Sequence, residues 1–512
     1  MRGYDAPTLE FVTFDPCRPD DAATVECRTA AARGMALSMV LAGMTLAVCG
    51  CAPLSPQRAP PLAFEVPVTW SQADTDAAGA PSSLAQWWLR LHDPLLARLV
   101  TQALQSNNSV MSAQAALRQA RALRDAAAAG LLPTVDGSAS AQRSRSGGNS
   151  ATNSFRVGLD ANWELDVFGA NRNALQASDA TARASAASLG DVQVSIAAEV
   201  ALDCIALRGA QARLAIANDN LASQLEILQI TQWRLQAGLV SSLEAEQSRA
   251  ATEQTRAQLP ALQTSIEQTL HALAVLTGQP PASLSAVLAA AAPVPQAADA
   301  LALSIPAETL RQRPDVRAAE QQVMAAMARV SQAQAQTMPS FRLSGSLGLN
   351  ALTLGSLTSG TSVASALLAG VTVPLFDGGA ARAQVRSQQA AMDQAHSGYQ
   401  AAVLTALKEV EDALVALRGD RERLARLQQA AEAAGNAALM ARQRFTSGLV
   451  DFQVVLETQR TQLSTQDSVA SASADVSADH VRLYKALGGG WHTDGDDTTT
   501  APTAEPVRTF PS

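Results

Sequence analysis

The chain is poor in the residues that carry chemistry. Its five histidines, His92, His271, His396, His480 and His492, show no metal-ligand spacing, and neither a nucleophile motif nor a phosphate-binding glycine loop is present. Nothing in it argues for an enzyme, a metal or a cofactor. Aromatic residues make up 4% and charged residues 16% of the chain, while alanine fills long tracts. Such a chain buries small side chains between closely approaching helices rather than building a thick aromatic core. The net charge of −8 excludes a strongly basic nucleic-acid binder. The apolar run near the N-terminus, Met35–Val48, is too short to span a membrane comfortably.

That run (MALSMVLAGMTLAV) follows Arg28 and Arg33 and closes on Val48-Cys49-Gly50-Cys51, which reads as a secretory signal peptide. A small residue before Cys51 resembles a bacterial lipoprotein signal, with Cys51 as the lipidated first residue of the mature protein. Cys49 competes, but bulky Val48 precedes it. Asp5, Glu10, Asp15, Asp20 and Asp21 are unlike a basic leader, so the true start is expected downstream, near Val25 or Met35. After cleavage only Cys51 and Cys204 remain, too few for a disulfide framework.

Ala52–Ser83 is proline-rich and suits an extended strap rather than a packed element. A helical pattern then runs from Leu95 until Pro133 stops it. Thr134–Gln142 and Ser154–Asp166 read as two strands around a polar loop. In the second, Phe155, Val157, Leu159, Ala161, Trp163 and Leu165 share one face and Arg156, Gly158, Asp160, Asn162, Glu164 and Asp166 the other. Strict alternation over ~10 residues suits a strand with lipid on one side and water on the other. An edge strand of a soluble sandwich alternates the same way.

Ala170–Ala237 contains no proline and carries a seven-residue line, Val200, Leu207, Leu214, Leu221, Leu228 and Leu235, which predicts a long coiled-coil helix. It stops at Gly238, and Ser242 is expected to cap a return helix that runs to about Leu276, kinked at Pro260. Thr277–Ile305 reads as an irregular connector, and then the pattern starts again. A second helix opens at Arg313 and ends at Met338-Pro339, and Pro133 and Pro339 are 339 − 133 = 206 residues apart. Ser340–Asn350 and Ser362–Leu375 are strands three and four. Ala380–Ser447 repeats the heptad line as Val403, Val410, Leu417, Leu424, Ala431, Ala438 and Phe445. Val200 and Val410 are 410 − 200 = 210 residues apart, and Gly238-Leu239-Val240 recurs at the same distance as Gly448-Leu449-Val450. The chain is an internal duplication.

Four strands cannot close a barrel, since the smallest membrane barrels have ~8, and lipid does not tolerate open edges. The chain must therefore oligomerise, and a trimer is the simplest solution. The helices are too polar to cross a bilayer and would continue the barrel as an aqueous tube.

Several motifs resemble the TolC-like outer-membrane efflux family, in its NodT-type lipoprotein branch. They are Gly50-Cys51-Ala52, Trp87-Trp88 with Asp93-Pro94-Leu95, Trp163-Glu164-Leu165-Asp166 with Phe168-Gly169, Arg313-Pro314-Asp315 with Ala319-Glu320, Pro374-Leu375-Phe376-Asp377-Gly378-Gly379, and the two Gly-Leu-Val turns. The resemblance implies a mainly helical fold with a membrane portion: a homotrimeric twelve-stranded barrel continued by a helical periplasmic tunnel. It implies an outer-membrane exit channel that docks with a periplasmic adaptor and an inner-membrane pump, exporting small molecules. A type I protein-secretion duct is the alternative within that class. A lipid-anchored periplasmic coiled-coil adaptor, the competing class, lacks a duplicated pair of alternating strands.

The expected organisation is a leader (1–50), a lipid-anchored strap (51–85), a first repeat (86–277), a connector (278–305), a second repeat (306–489) and a disordered tail (490–512). Gly238 and Gly448 suit left-handed helix caps, and by resemblance they form the tunnel tip. Glu244 and Glu457 suit early helical turns near the positive dipole end. By resemblance Glu244 matches an acid of the constricting tip, Glu457 an acid of the last helix and Phe445 an aromatic at the constriction, whereas Val454 replaces a further tip acid. Trp87 and Trp88 read as packing residues and Trp163 as a lipid-interface anchor.

Overall fold

The computed structural model describes residues 63–71, 84–145, 147, 150–297 and 306–491. The leader, Cys51 and residues 492–512 lie outside the described residues. A 3-10 turn, Trp87–Leu91, leads into α1 (Pro94–Ser106) and α2 (Asn108–Ala129). Strands β1 (Thr134–Ser144) and β2 (Thr152–Leu165), the long α3 (Ala170–Gln236) and its return helix α4 (Ser242–Leu276) follow. After the one-turn α5 (Ser285–Leu288) come α6 (Pro306–Gln312), α7 (Pro314–Ala335), β3 (Ser340–Ala351), β4 (Val363–Thr372), α8 (Ala380–Thr446) and α9 (Phe452–Ala486).

The duplication holds element by element. α2 and α7 have 22 residues each, α3 and α8 have 67, and α4 and α9 have 35. The glycines that start or end helices also recur in register: Gly169 with Gly379, Gly238 with Gly448 and Gly278 with Gly488, all at positive φ. At 1.5 Å per residue the two long helices each extend about 100 Å. α3 packs against α2, α7, α4 and α9, and α8 packs against α7 and α9. Two long helices therefore run through, and the shorter ones flank them in two tiers.

The first helix is not continuous to Pro133. It breaks at Asn107, whose extended backbone (φ −68°, ψ 132°) and side-chain oxygen cap α2 through the N–H groups of Ser109 and Val110. Asn107 Nδ2 also donates to Leu276 O at 2.9 Å, at the end of α4. Arg313 repeats this joint: it precedes α7 with φ −67° and ψ 125°, and its Nη1 donates to Ala486 O at 2.8 Å, at the end of α9. Each upper helix thus satisfies a carbonyl orphaned at the end of a lower one. Arg313 further pairs with Asp315 and Glu409, each at 2.7 Å, and its charge suits the C-terminal dipole of α9.

The core gathers where the tiers meet. Trp87 and Trp88 are buried there, as packing residues, and Trp87 stacks on Tyr484 at 5.3 Å among Leu96, Val100, Val200, Leu207 and Leu273. Cys204 lies in the same cluster, and burial pushes its thiol up to about 12. The heptad line of α8 is buried at Val403, Val410, Leu417, Ala438 and Phe445. That of α3 holds only at Val200 and Leu207; below them Leu214, Leu221 and Leu228 are half-buried and Leu235 is exposed. The buried seam passes instead through Ala217, Gln224, Ile227 and Thr231. Ala210, Ala217, Gln224 and Thr231 keep the seven-residue spacing, so the buried line of α3 steps three residues along after Leu207 and then resumes, the shift that a three-residue insertion makes in a heptad pattern.

Two segments read as loose are packed. Trp70 of the strap is buried with Val410, Leu417 and Leu483, and the Ser71 N–H donates to Glu411 Oε1 at 2.8 Å. The expected tail is ordered as far as Trp491, whose Nε1 donates to Gln312 O at 3.1 Å. A Cβ on Gly489 would lie 2.9 Å from Leu84 O, so only glycine lets the chain pass there.

Candidate functional site

The sheet has the order β1-β2-β3-β4, all antiparallel, with β1 and β4 as open edges. Its register carries the alternation of one strand across all four. Ala139 pairs with Val157, Val157 with Leu349 and Leu349 with Val363; Trp163 pairs with Leu343, and Leu343 with Ala369. The opposite face pairs Ser140 with Arg156, Arg156 with Asn350, Asn162 with Ser344 and Glu164 with Arg342. On this polar face Arg156 Nε donates to Asn350 Oδ1 at 2.8 Å and Ser344 Oγ to Asn162 Oδ1 at 2.9 Å. Among the described residues nothing covers the apolar face: Val135 is 64%, Leu159 55% and Leu367 78% exposed. Among its described residues a single chain thus shows an uncovered apolar face and two unpaired edges on the same sheet. Trp163 stands at the helix end of the apolar face, and its Nε1 donates to Leu131 O at 3.0 Å.

At the far end of the helices the two return turns are built alike. Gly238 (φ 72°) and Gly448 (φ 71°) take the left-handed conformation that lets Leu239 N–H reach Arg234 O at 2.8 Å and Leu449 N–H reach Arg444 O at 2.9 Å. Leu239 and Leu449 are left pointing outward, 74% and 73% exposed. The turns then diverge. Ser241, rather than Ser242, caps α4, in a capping box with Glu244: the Ser241 N–H donates to Glu244 Oε2 at 2.7 Å. In the second turn Asp451 precedes α9 without a side-chain cap bond, and Val454 takes the place of Glu244. Glu457 is exposed one turn further on.

Phe445 is not presented to open space. It is buried with Ile227, Ala441, Phe452 and Val455; its ring meets Phe452 at 5.7 Å, and the Arg234 guanidinium lies over it at 4.4 Å. The cluster joins the α8–α9 hairpin to α3, and Arg442 Nη2 adds a 2.6 Å bond to Glu226 of α3. Higher up, Arg213 of α3 binds Asp467 of α9 through two bonds, at 2.7 and 3.1 Å. The site residues at the tip therefore fall at one end of the molecule, with the glutamates on its surface and Phe445 within. Sequence reading missed the Arg442–Glu226 and Arg234–Phe445 ties. Their trace in the sequence was limited to Arg234, a basic residue in the last turn of α3.

Among the described residues, no group of three metal-ligating acids, cysteines or histidines occurs, and no helix is long and apolar enough to cross a membrane. The profile of the family described as outer membrane efflux protein matches residues 99–279 and 305–489, one match for each repeat. The chain is 29% identical to the outer membrane protein OprJ of Pseudomonas aeruginosa, across 89% of this chain and 96% of that protein. It is 30% identical to nodulation protein T of Rhizobium leguminosarum bv. viciae, across 86% of this chain and 90% of that one. The solved structure of the outer-membrane channel OprN is similar with a TM-score of 0.77 and 36% identity, covering 85% of this chain and 99% of that one.

Proposed function

Since the chain belongs to the outer membrane efflux protein family, we propose that three copies of it pair β4 of one with β1 of the next. They form the passive exit duct of a tripartite efflux pump for small molecules. It is an outer-membrane efflux channel component, of the fold shared by TolC-like channels. The observation that carries the reading is the sheet with an uncovered apolar face and two open edges. In lipid each unpaired backbone group costs several kcal/mol, so the edges must close on other copies. Three chains of four strands exceed the ~8 of the smallest barrels. The family description as an efflux protein favours this duct over a protein-secretion exit. Reconstituted in a planar bilayer, the purified protein should give discrete conductance steps; their absence from correctly folded protein would overturn the reading.

The partners follow from the ends. Leu239, Leu449 and Leu243 are exposed apolar residues at the two turns, a surface suited to a periplasmic adaptor that links the duct to an inner-membrane pump. Trp163 is suited to the membrane–water boundary, with its ring on the apolar face and its N–H already bonded. The repeats, connector and leader serve as the working divisions of the chain, with the second repeat extended through Trp491. Cys51 supplies the lipid anchor. A Cys51→Ser protein should lose metabolic palmitate labelling, since Cys204 is buried; retained label would move the anchor to Cys49.

Gly238 and Gly448 hold the turns that form the tip of the duct, and around a threefold axis the tips bring three copies each of Glu244, Glu457 and the Phe445 cluster together. Rings of carboxylates in a narrow passage concentrate cations, over a Debye length of ~10 Å at 0.1 M salt. Glu244→Gln keeps a side chain able to serve the capping box, so the double variant with Glu457→Gln tests charge alone. It should show weaker block by multivalent cations from the periplasmic side, with assembly intact. Unchanged block would leave these glutamates as ordinary helix-start acids.

A further inference from the structure

At the sheet end of the helices, the first turns of α3 and α8 and the last turns of α7 border a cavity of about 390 Å³. Ser178 of α3, Arg329, Gln332 and Gln336 at the end of α7, and Gln384 and Gln388 of α8 line it, and every other lining residue is alanine. The stretches that meet here, 170–178, 321–336 and 380–392, contain four arginines and no acid, in a chain of net charge −8. Three acids at their edges are already occupied. Asp166 holds Arg172 at 3.2 Å, Asp179 holds Arg183 at 2.7 Å, and Asp377 accepts from the Gly379 and Ala381 N–H groups. Arg329 Nη2 donates to Thr181 Oγ1 at 3.3 Å, and among the described residues the guanidinium has no carboxylate partner. The four glutamine side chains and Ser178 Oγ likewise have no hydrogen-bond partner among the described residues. On the same helix Thr181 and Ser185 return their hydroxyls to its own carbonyls. Six side chains that can donate thus open on one space, with only alanine between them.

The side of the wall follows from α7. Val316 packs with Val403 of α8 and with Phe64 and Val66 of the strap. Arg329 lies 329 − 316 = 13 residues further on. At ~3.6 residues per turn that carries it about 140° around the helix, to the side away from the strap. A strap that leads to a lipid anchor runs outside a duct, so Arg329 looks into the lumen. We propose that this cavity is a lumenal binding site for the oxyanion group, carboxylate or phosphate, of a small-molecule cargo. The proposal rests on the reading that the chain forms the duct. A guanidinium grips two oxygens of one oxyanion through parallel N–H bonds, and the amides around it donate to the remaining oxygen or to hydroxyls of the cargo. The missing acids matter as much, because a carboxylate in the wall would hold Arg329 and repel the ligand. All the lining comes from one chain, so an assembly of three carries three such sites. The cavity is open to water, which keeps the attraction screened and release fast, as a conduit requires.

The test is calorimetric titration of the full-length protein in detergent with glucose 6-phosphate, and with glucose as the uncharged control. Wild type should take up one glucose 6-phosphate per chain and no measurable glucose. Arg329→Gln should weaken the phosphate at least tenfold, the scale of one charge-assisted contact, and Arg329→Lys should fall between, since it keeps the charge and loses the fork. The pair Gln384→Ala with Gln388→Ala should weaken it several-fold with the charge intact. No binding by wild type, equal binding of glucose, or unchanged binding in Arg329→Gln would each overturn the site. A second arm separates cargo from lipid. Spin-labelled phosphatidylglycerol held by the reconstituted protein should be the same in wild type and Arg329→Gln. A loss of held lipid in the variant would place the cavity on the membrane side and overturn the lumenal assignment. Titration needs no conduction, so a protein that conducts but binds no phosphate refutes the site and leaves the duct standing.

Discussion

Arginine in place of Leu367 should abolish the assembled channel, while arginine at the adjacent Ala366 should leave it standing. The two positions are neighbours on β4 but face opposite sides of the sheet. Leu367 pairs with Gly345 on the apolar face, and Ala366 pairs with Ser346 on the polar face. A cation on the lipid side near the bilayer midplane costs ~2–4 kcal/mol per copy, and in a trimer three copies add their costs. The polar face opens on water and tolerates the same side chain. Heat-modifiable trimer on a mild gel should fall at least tenfold for Leu367→Arg and stay near wild type for Ala366→Arg. Equal loss in both variants would mean that β4 does not present its apolar face to lipid.

Phe445→Ala should open the periplasmic end. Two kinds of tie hold the α8–α9 hairpin to α3 there, and their sizes differ. The Arg442–Glu226 pair has side chains 42% and 61% exposed, which limits it to about 1 kcal/mol or less. The Phe445 cluster has four partners that are each at most 5% exposed, and removing a buried phenylalanine costs ~3–5 kcal/mol. Packing therefore outweighs the ion pair. Phe445→Ala should raise single-channel conductance several-fold without dissolving the assembly, because the main core lies at the other end of α4 and α9. Phe445→Leu and Arg442→Gln should each give a smaller rise. Wild-type conductance in Phe445→Ala would show that the tip is held by something other than this cluster.

The periodic parts of the molecule were legible in the sequence. Alternation located all four strands to within about three residues, and the absence of proline marked α3 and α8 almost to their ends. The repeat was legible because its glycines are required by backbone conformation, as at Gly238 and Gly448. What escaped reading depends on partners distant in sequence. The break at Asn107 is set by Leu276, and the joint at Arg313 by Ala486, neither of which leaves a period. The leucine line of α3 was followed too far, because below Leu207 the buried stripe runs through Ala217, Gln224 and Thr231, residue types that leave no apolar line to read. The burial of Phe445 against Ile227 and Phe452 comes from the fold and not from its neighbours in sequence. Gly490 and Trp491 looked like the start of a tail because glycine gives no apolar signal, although a Cβ on Gly490, which has φ 110°, would lie 3.3 Å from Trp87 Nε1.

Closure of the sheet by other copies is the claim on which the duct rests, and the mass of the detergent-solubilised protein tests it most directly. Light scattering corrected for bound detergent should give three chains in a single species, and the same fraction should conduct. A monodisperse monomer that conducts ions would contradict the strand count, the tunnel and the paired edges together.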